Sequence, residues 1–184
     1  MNDNRFERWF EAVQAVDVDT VRTLLAGGLD VQVLDAELGT ALMVACDQLF
    51  ELWWEPVVAA YEQDQPWTEA QKAEALAPHL ALLELLIAAG ARVDLWDGEE
   101  YFGTVWDAAS AACWPVVQRL VAAGAPINLR DDEGDSTLTS LSKLWFEVDF
   151  DQIDWLDALP EEQQVLQGLR ALGAKTTAEL DAAG

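Results

Sequence analysis

Hydrophobic residues recur along this chain at steps of three and four, the spacing of helices with one buried face. Phe6, Trp9, Phe10 and Val13 share one side of the segment from Phe6 to Val16, which predicts an amphipathic helix. Asp17 and Asp19 mark a turn, and Val21, Leu24 and Leu25 continue a second helix that closes at Gly27-Gly28. Val117, Leu120 and Val121 repeat the stripe further along. Gly124 follows them, where a residue without a Cβ suits the left-handed end of a helix. Leu169-Arg170-Ala171-Leu172-Gly173-Ala174 carries the signal a last time.

The stripes belong to an internal repeat. Ile87–Asp97 (IAAGARVDLWD) returns as Val121–Asp131 (VAAGAPINLRD), with Gly90, Val93 and Asp97 matched by Gly124, Ile127 and Asp131 at an offset of 34 residues. Upstream, Gly28 precedes Asp35 by the same interval that separates Gly90 from Asp97. Thr40–Ala45 (TALMVA) and Thr104–Ala109 (TVWDAA) begin with a residue suited to an N-cap, because its hydroxyl can accept an orphan backbone N–H. Asp131–Leu138 reads DDEGDSTL.

Together these motifs resemble the ankyrin repeat family, whose units recur at about 33 residues with T-P-L-H-x-A on the first helix and D-x-x-G-x-T-P-L across the finger. The Pro and His of the family pattern are absent throughout. The unit at 98–131 is one residue short between its helices. The resemblance implies an all-α, ankyrin-like solenoid of about four helix-turn-helix repeats with short finger loops. It would form a single domain over 1–184, with units at about 1–35, 36–97, 98–131 and 132–184. Another array of helical hairpins would give a similar hydrophobic pattern.

Two stretches exceed the repeat, at about 47–79 and 142–160. In the first, Glu51–Tyr61 is apolar and helix-compatible, with Pro56 predicting a kink or restart. Thr68-Glu69-Ala70-Gln71 is a capping box that starts a new helix. Pro78 is expected to divide that helix from Leu80–Ala89, which puts His79 at a helix start. Two lengthened helices carrying Trp53, Trp54 and Trp67 are expected to project. In the second stretch, acids alternate with large apolar residues from Trp145 to Asp157. Either this segment tucks Phe146, Val148, Phe150 and Ile153 inward and solvates its acids, or it is an acidic, aromatic docking strip. Pro160-Glu161-Glu162 suits the first turn of the last long helix. A frayed tail is expected from Thr176 to Gly184.

Composition changes the picture in one respect. Thirty-four acidic residues oppose ten basic ones, a net charge of −24 over 184 residues. Such a charge repels nucleic acid and anionic membrane and speeds encounter with basic partners. It could equally serve solubility or suit a high-salt cytoplasm. A hydrophobic content of 52% is that of a folded chain. The first ten residues carry no apolar run that predicts a signal peptide, so a cytoplasmic protein is expected. Cys46 and Cys113 fall on predicted first helices and suit small core positions. With one histidine, no metal-ligand spacing and no phosphate-binding glycine motif, neither an enzyme nor a bound metal or cofactor is expected.

The family resemblance implies a surface of fingers and first helices that meets protein partners. On this chain that surface would hold Trp96, Asp97, Glu99, Glu100 and Tyr101 on a finger two residues longer than the others. It would also hold Asp107 beside Trp106 on a first helix, and Asp132, Glu133 and Asp135 on the next finger. The strip adds Asp149, Asp151, Asp154 and Trp155. Trp106 occupies the usual buried Leu position and could be core instead. The expected partner is a basic protein. Small acidic ankyrin-like proteins resemble immunity proteins, which cover the active site of a toxin. A nucleic-acid mimic that inhibits a DNA-binding protein is the alternative, and a scaffold whose acidity serves only solubility is another. The oligomeric state is left open.

Overall fold

The computed structural model describes residues 3–95 and 103–183. The site residues expected at Trp96, Asp97, Glu99, Glu100 and Tyr101 lie outside that range. The described chain is mostly helical and falls into two compact units, Met1–Val93 and Asp94–Gly184.

In the first unit, α1 (Asp3–Gln14) and α2 (Val18–Ala26) form one helix pair. A minimal antiparallel hairpin follows, β1 (Leu34–Asp35) against β2 (Gly39–Thr40), with Leu34 opposite Thr40. Then come α3 (Ala41–Asp47), a π-helical turn (Phe50–Trp54), α4 (Glu55–Glu62) and α5 (Glu69–Ala88). Helix α3 pairs with α5, while α1 packs on α3 and α2 on α5. The second unit repeats the plan. Here α6 (Thr104–Ser110) pairs with α7 (Trp114–Ala122), and α8 (Thr137–Phe146) with α9 (Pro160–Ala171). Helix α6 packs on α8 and α7 on α9, and a short α10 (Thr177–Asp181) ends the unit.

Local chemistry accounts for most of these elements. Helix α1 buries Trp9, Phe10 and Val13, with Phe6 stacked on Phe10 at 5.1 Å. Asp17 caps α2 by accepting the Thr20 N–H at 3.0 Å and the Thr20 hydroxyl at 2.7 Å, which holds its carboxyl below the usual range. Pro56 follows directly on the π-helical turn, and the backbone stays right-handed helical through Leu49, Trp54 and Glu55, so the bonding changes from π to α there without the chain breaking and restarting. Thr68 and Gln71 form the reciprocal capping box at the start of α5. Pro160 opens α9, and the Glu162 carboxylate accepts the Leu159 N–H.

The helix ends repeat one design four times. Gly28, Gly90, Gly124 and Gly173 all have positive φ. At each, the following residue's N–H reaches back five residues: Leu29 to Leu24, Ala91 to Leu86, Ala125 to Leu120 and Ala174 to Leu169.

Three local expectations are overturned. Thr104 does not cap α6. It is the first helical residue and is buried, and Gly103 (φ 86°) takes the cap position, where a Cβ would meet Leu129 at 3.0 Å. Pro78 does not divide the chain. Helix α5 runs through it, because Leu76, His79, Leu82, Leu83 and Leu86 are buried on both sides. That burial outweighs the roughly 3 kcal/mol that a mid-helix proline costs. His79 is therefore in the middle of a helix. Trp53 and Trp54 do not project: both are buried, and Trp53 meets the half-buried Trp67 edge-on at 6.3 Å.

The tail also departs from expectation, since Thr176 and Glu179 form a capping box that orders α10. No residue of α10 is buried, and ion pairs hold it, Arg130 to Asp181 at 2.6 Å and Arg170 to Glu179 at 2.5 Å. Arg170 holds the Glu179 carboxyl down to about 2. Among the described residues, no helix is long and apolar enough to cross a membrane.

Candidate partner-binding surface

In the second unit the described site residues, Asp107 on α6 apart, lie on two segments, the finger at 130–136 and the strip after α8. The finger is closed by a bridge between Arg130 and Ser136. Asp131 Oδ1 accepts the Asp135 N–H at 2.7 Å, and Arg130 donates to the Gly134 carbonyl at 2.7 Å. This leaves Asp132 and Glu133 exposed at the tip. Asp135, expected on the surface, is turned inward. Its carboxylate accepts from Lys143 Nζ at 2.5 Å and from the Thr177 hydroxyl at 3.1 Å, and the residue is only 9% exposed. Asp107 is half-buried on α6. Trp106 is half-buried too, and its indole N–H donates to Ser140 Oγ at 3.1 Å. The indole thus ties α6 to α8.

Helix α8 ends at Glu147, which takes a left-handed conformation (φ 57°). The strip then folds its apolar residues inward. Ile153 and Ala158 are buried. The Phe150 ring lies under the Arg170 guanidinium at 5.8 Å and meets Trp155 edge-on at 5.8 Å. Gln163 donates to the carbonyls of Trp155 and Ala158, pinning the strip to α9. Trp155 is therefore half-buried and braced, not displayed. Its neighbour takes the outer place. Asp154 Oδ1 accepts the Leu156 N–H at 3.1 Å, and in that turn Leu156 is 92% exposed. Glu147, Asp149, Asp151, Asp154 and Asp157 are all exposed along the same strip.

Two cations outside the expected site, Lys143 and Arg170, organise these acids. Lys143 pairs with Asp135, which raises its pKa, and Asp149 and Glu133 add to the effect. Finger and strip thus meet in the field of one ammonium. Arg170 joins Glu179 of α10 to the strip through Phe150 and the nearby charge of Asp151. The chain has three lysines in all, which was the available signal that each would be employed.

The buried titratable groups are placed for packing. Burial pushes the Cys113 thiol up to about 12, well above the range of a reactive thiolate. Burial also lowers the His79 pKa, and the Ala75 carbonyl offsets this only in part. Among the described residues, no group of three or more His, Cys, Asp or Glu is placed to hold a metal ion. No protein-family model matches the chain, and no curated protein matches it.

Proposed function

We propose that this chain is a non-catalytic, ankyrin-like binding module whose strip from Glu147 to Asp157 receives a basic protein. The solenoid reading is supported by the four matching helix caps and by a second repeated contact. Gln32 bridges the Gly90 carbonyl (2.5 Å) and the Arg92 N–H (3.5 Å). Asn128 bridges the Gly173 carbonyl (3.4 Å) and the Lys175 N–H (2.8 Å) in the same way. In each case the residue after one helix pair grips the end of the next pair, as nearest-neighbour stacking requires.

The observation that carries the function is Leu156, nearly fully exposed on a strip that also exposes five carboxylates. Burying such a side chain contributes about 1.5–3 kcal/mol. The strip's acids speed encounter with a positive surface and orient it. An inhibitor that covers the basic active face of a toxin in the cytoplasm is the use this arrangement suits best.

Immobilised wild-type protein should capture a basic protein from the source cell at both low and physiological salt. Asp149→Asn/Asp151→Asn/Asp154→Asn should slow its capture, and Leu156→Ala should speed its release. A control pair, Glu7→Gln/Glu11→Gln, should do neither. Capture unchanged by the strip variants would overturn the assignment. Capture that vanishes at physiological salt would favour a purely electrostatic, nucleic-acid-like mimic.

A further inference from the structure

The first unit contains a cleft of about 240 Å3 between α4 and the start of α5, lined by Pro56, Ala59, Gln63, Gln65, Trp67 and Gln71. In a chain of net charge −24, no lining side chain is charged. We propose that this cleft binds one neutral sugar residue, a site independent of the acidic strip in the second unit.

The chemistry of the lining selects the ligand. Gln71 is the fixed point. Its Oε1 accepts both the N–H and the hydroxyl of Thr68, each at 2.9 Å, so the amide N–H pair is what it can offer a guest. A group that only donates, such as an ammonium or guanidinium, has nothing to give that donor. Anions find no positive side chain in the lining: Glu62 and Asp64, which flank Gln63 in sequence, are exposed acids, and Lys72, next to Gln71, is engaged by Glu69 at 2.9 Å. Gln63 and Gln65 are exposed and their amides can both donate and accept, which matches hydroxyl groups. Trp67 is half-buried and braced edge-on by Trp53, so its indole is held in place for a C–H face to stack on. The volume lies below the roughly 300–1,000 Å3 of sites for drug-sized ligands and suits a single ring. A proline-rich peptide also stacks on tryptophan, but it requires an elongated groove with several aromatics. Here Trp67 is the one aromatic in the lining. The cleft lies beside the π-helical turn Phe50–Trp54, a form of backbone often found at functional sites.

The test is a titration followed through the tryptophan indole resonances. Methyl glucoside should shift the Trp67 indole saturably and leave that of Trp155 unmoved. Glucosamine, a cation, and glucuronate, an anion, should bind at least about threefold more weakly. Gln63→Ala and Gln65→Ala, both at exposed positions, should each weaken binding by about threefold to tenfold, the worth of one neutral hydrogen bond. Thr68→Ala should also weaken it by releasing Gln71. Absence of a saturable shift with methyl glucoside, a preference for either charged sugar, or saturation only by a proline-rich peptide would overturn the proposal.

Discussion

The two stretches that exceed the repeat, 47–79 and 142–160, take opposite forms. The first becomes interior. Its π-helical turn buries Trp53 and Trp54, α4 buries Val57 and Ala60, and α5 runs through a proline to bury Leu76 and His79. The second becomes surface. Between α8 and α9 it buries only Ile153 and Ala158 beyond the helix, braces Phe150 and Trp155 against Arg170 and Gln163, and turns five acids and Leu156 to solvent. Both stretches are rich in aromatic residues. What separates them is the spacing of the acids. In 145–157 a carboxylate falls at nearly every second position, so no helical face is free of charge and the segment cannot be buried. In 47–79 the acids lie farther apart, and helices can form with an apolar side.

The contrast predicts a hierarchy of effects. Trp53→Ala should cost about 3–5 kcal/mol in urea unfolding, as large core truncations do. Leu156→Ala should change stability by less than about 0.5 kcal/mol, as at other surface sites, while weakening partner capture. If the two stability changes were alike, the division into interior and surface would fail.

Next in size is Gly168→Ala. Helix α9 approaches α7 so closely at this point that an added Cβ would lie 2.4 Å from the Trp114 ring. Overpacking of this kind costs about 1–3 kcal/mol. Trp114→Leu in the same chain should recover much of the loss, and no recovery would show that the contact is not the cause.

Thr68→Ala removes the hydroxyl that caps α5 and should cost about 1 kcal/mol. Gln71→Ala in the same chain should then add less than it does alone, because the two side chains act as one box.

The smallest effects are slopes with pH, and they separate the units. His79 has a folded-state pKa below its ordinary 6.5 because burial disfavours the charged ring. The unfolded chain therefore binds a proton that the folded one refuses. Stability from this site is complete above pH 6.5 and falls as pH drops below it, down to the folded pKa. His79→Leu should flatten that slope in the first unit. Glu179, held at about 2 against an ordinary 4.5, stabilises the second unit above pH 4.5 and loses that contribution as pH falls toward 2. Glu179→Gln should abolish that lower step and leave the upper one. Hydrogen exchange of α5 and α10 across both ranges checks the assignment.

What could be seen in the sequence was what neighbours within a few residues decide. The buried face of α1, the capping box at Thr68 and the left-handed glycines after each second helix all follow from contacts within about one or two helical turns. Errors came where distant residues take part. Thr104 suits a cap by itself, yet it is buried as the first helical residue, and Gly103, lying against Leu129, takes that position. Pro78 is a helix breaker by itself, yet leucines before and after it find a shared core. Asp135 looks like a finger-tip acid until Lys143 and Thr177, far along the chain, draw it inward. In the strip the alternation of charge announced that acids would face water. It did not tell which large side chain would go with them, and Trp155 was the natural choice.

From the sequence alone came the helical framework, its period and the strongly negative surface, because hydrophobic spacing, caps and net charge are properties of short segments or of composition. The tertiary structure alone decided that Trp155 would be braced and Leu156 displayed, that Lys143 and Arg170 would gather the acids, and that Trp67 would share a cleft with three glutamines. Each depends on which side chains meet when successive elements turn back on one another, from Gln163 against Trp155 eight residues away to Thr177 against Asp135 forty-two residues away.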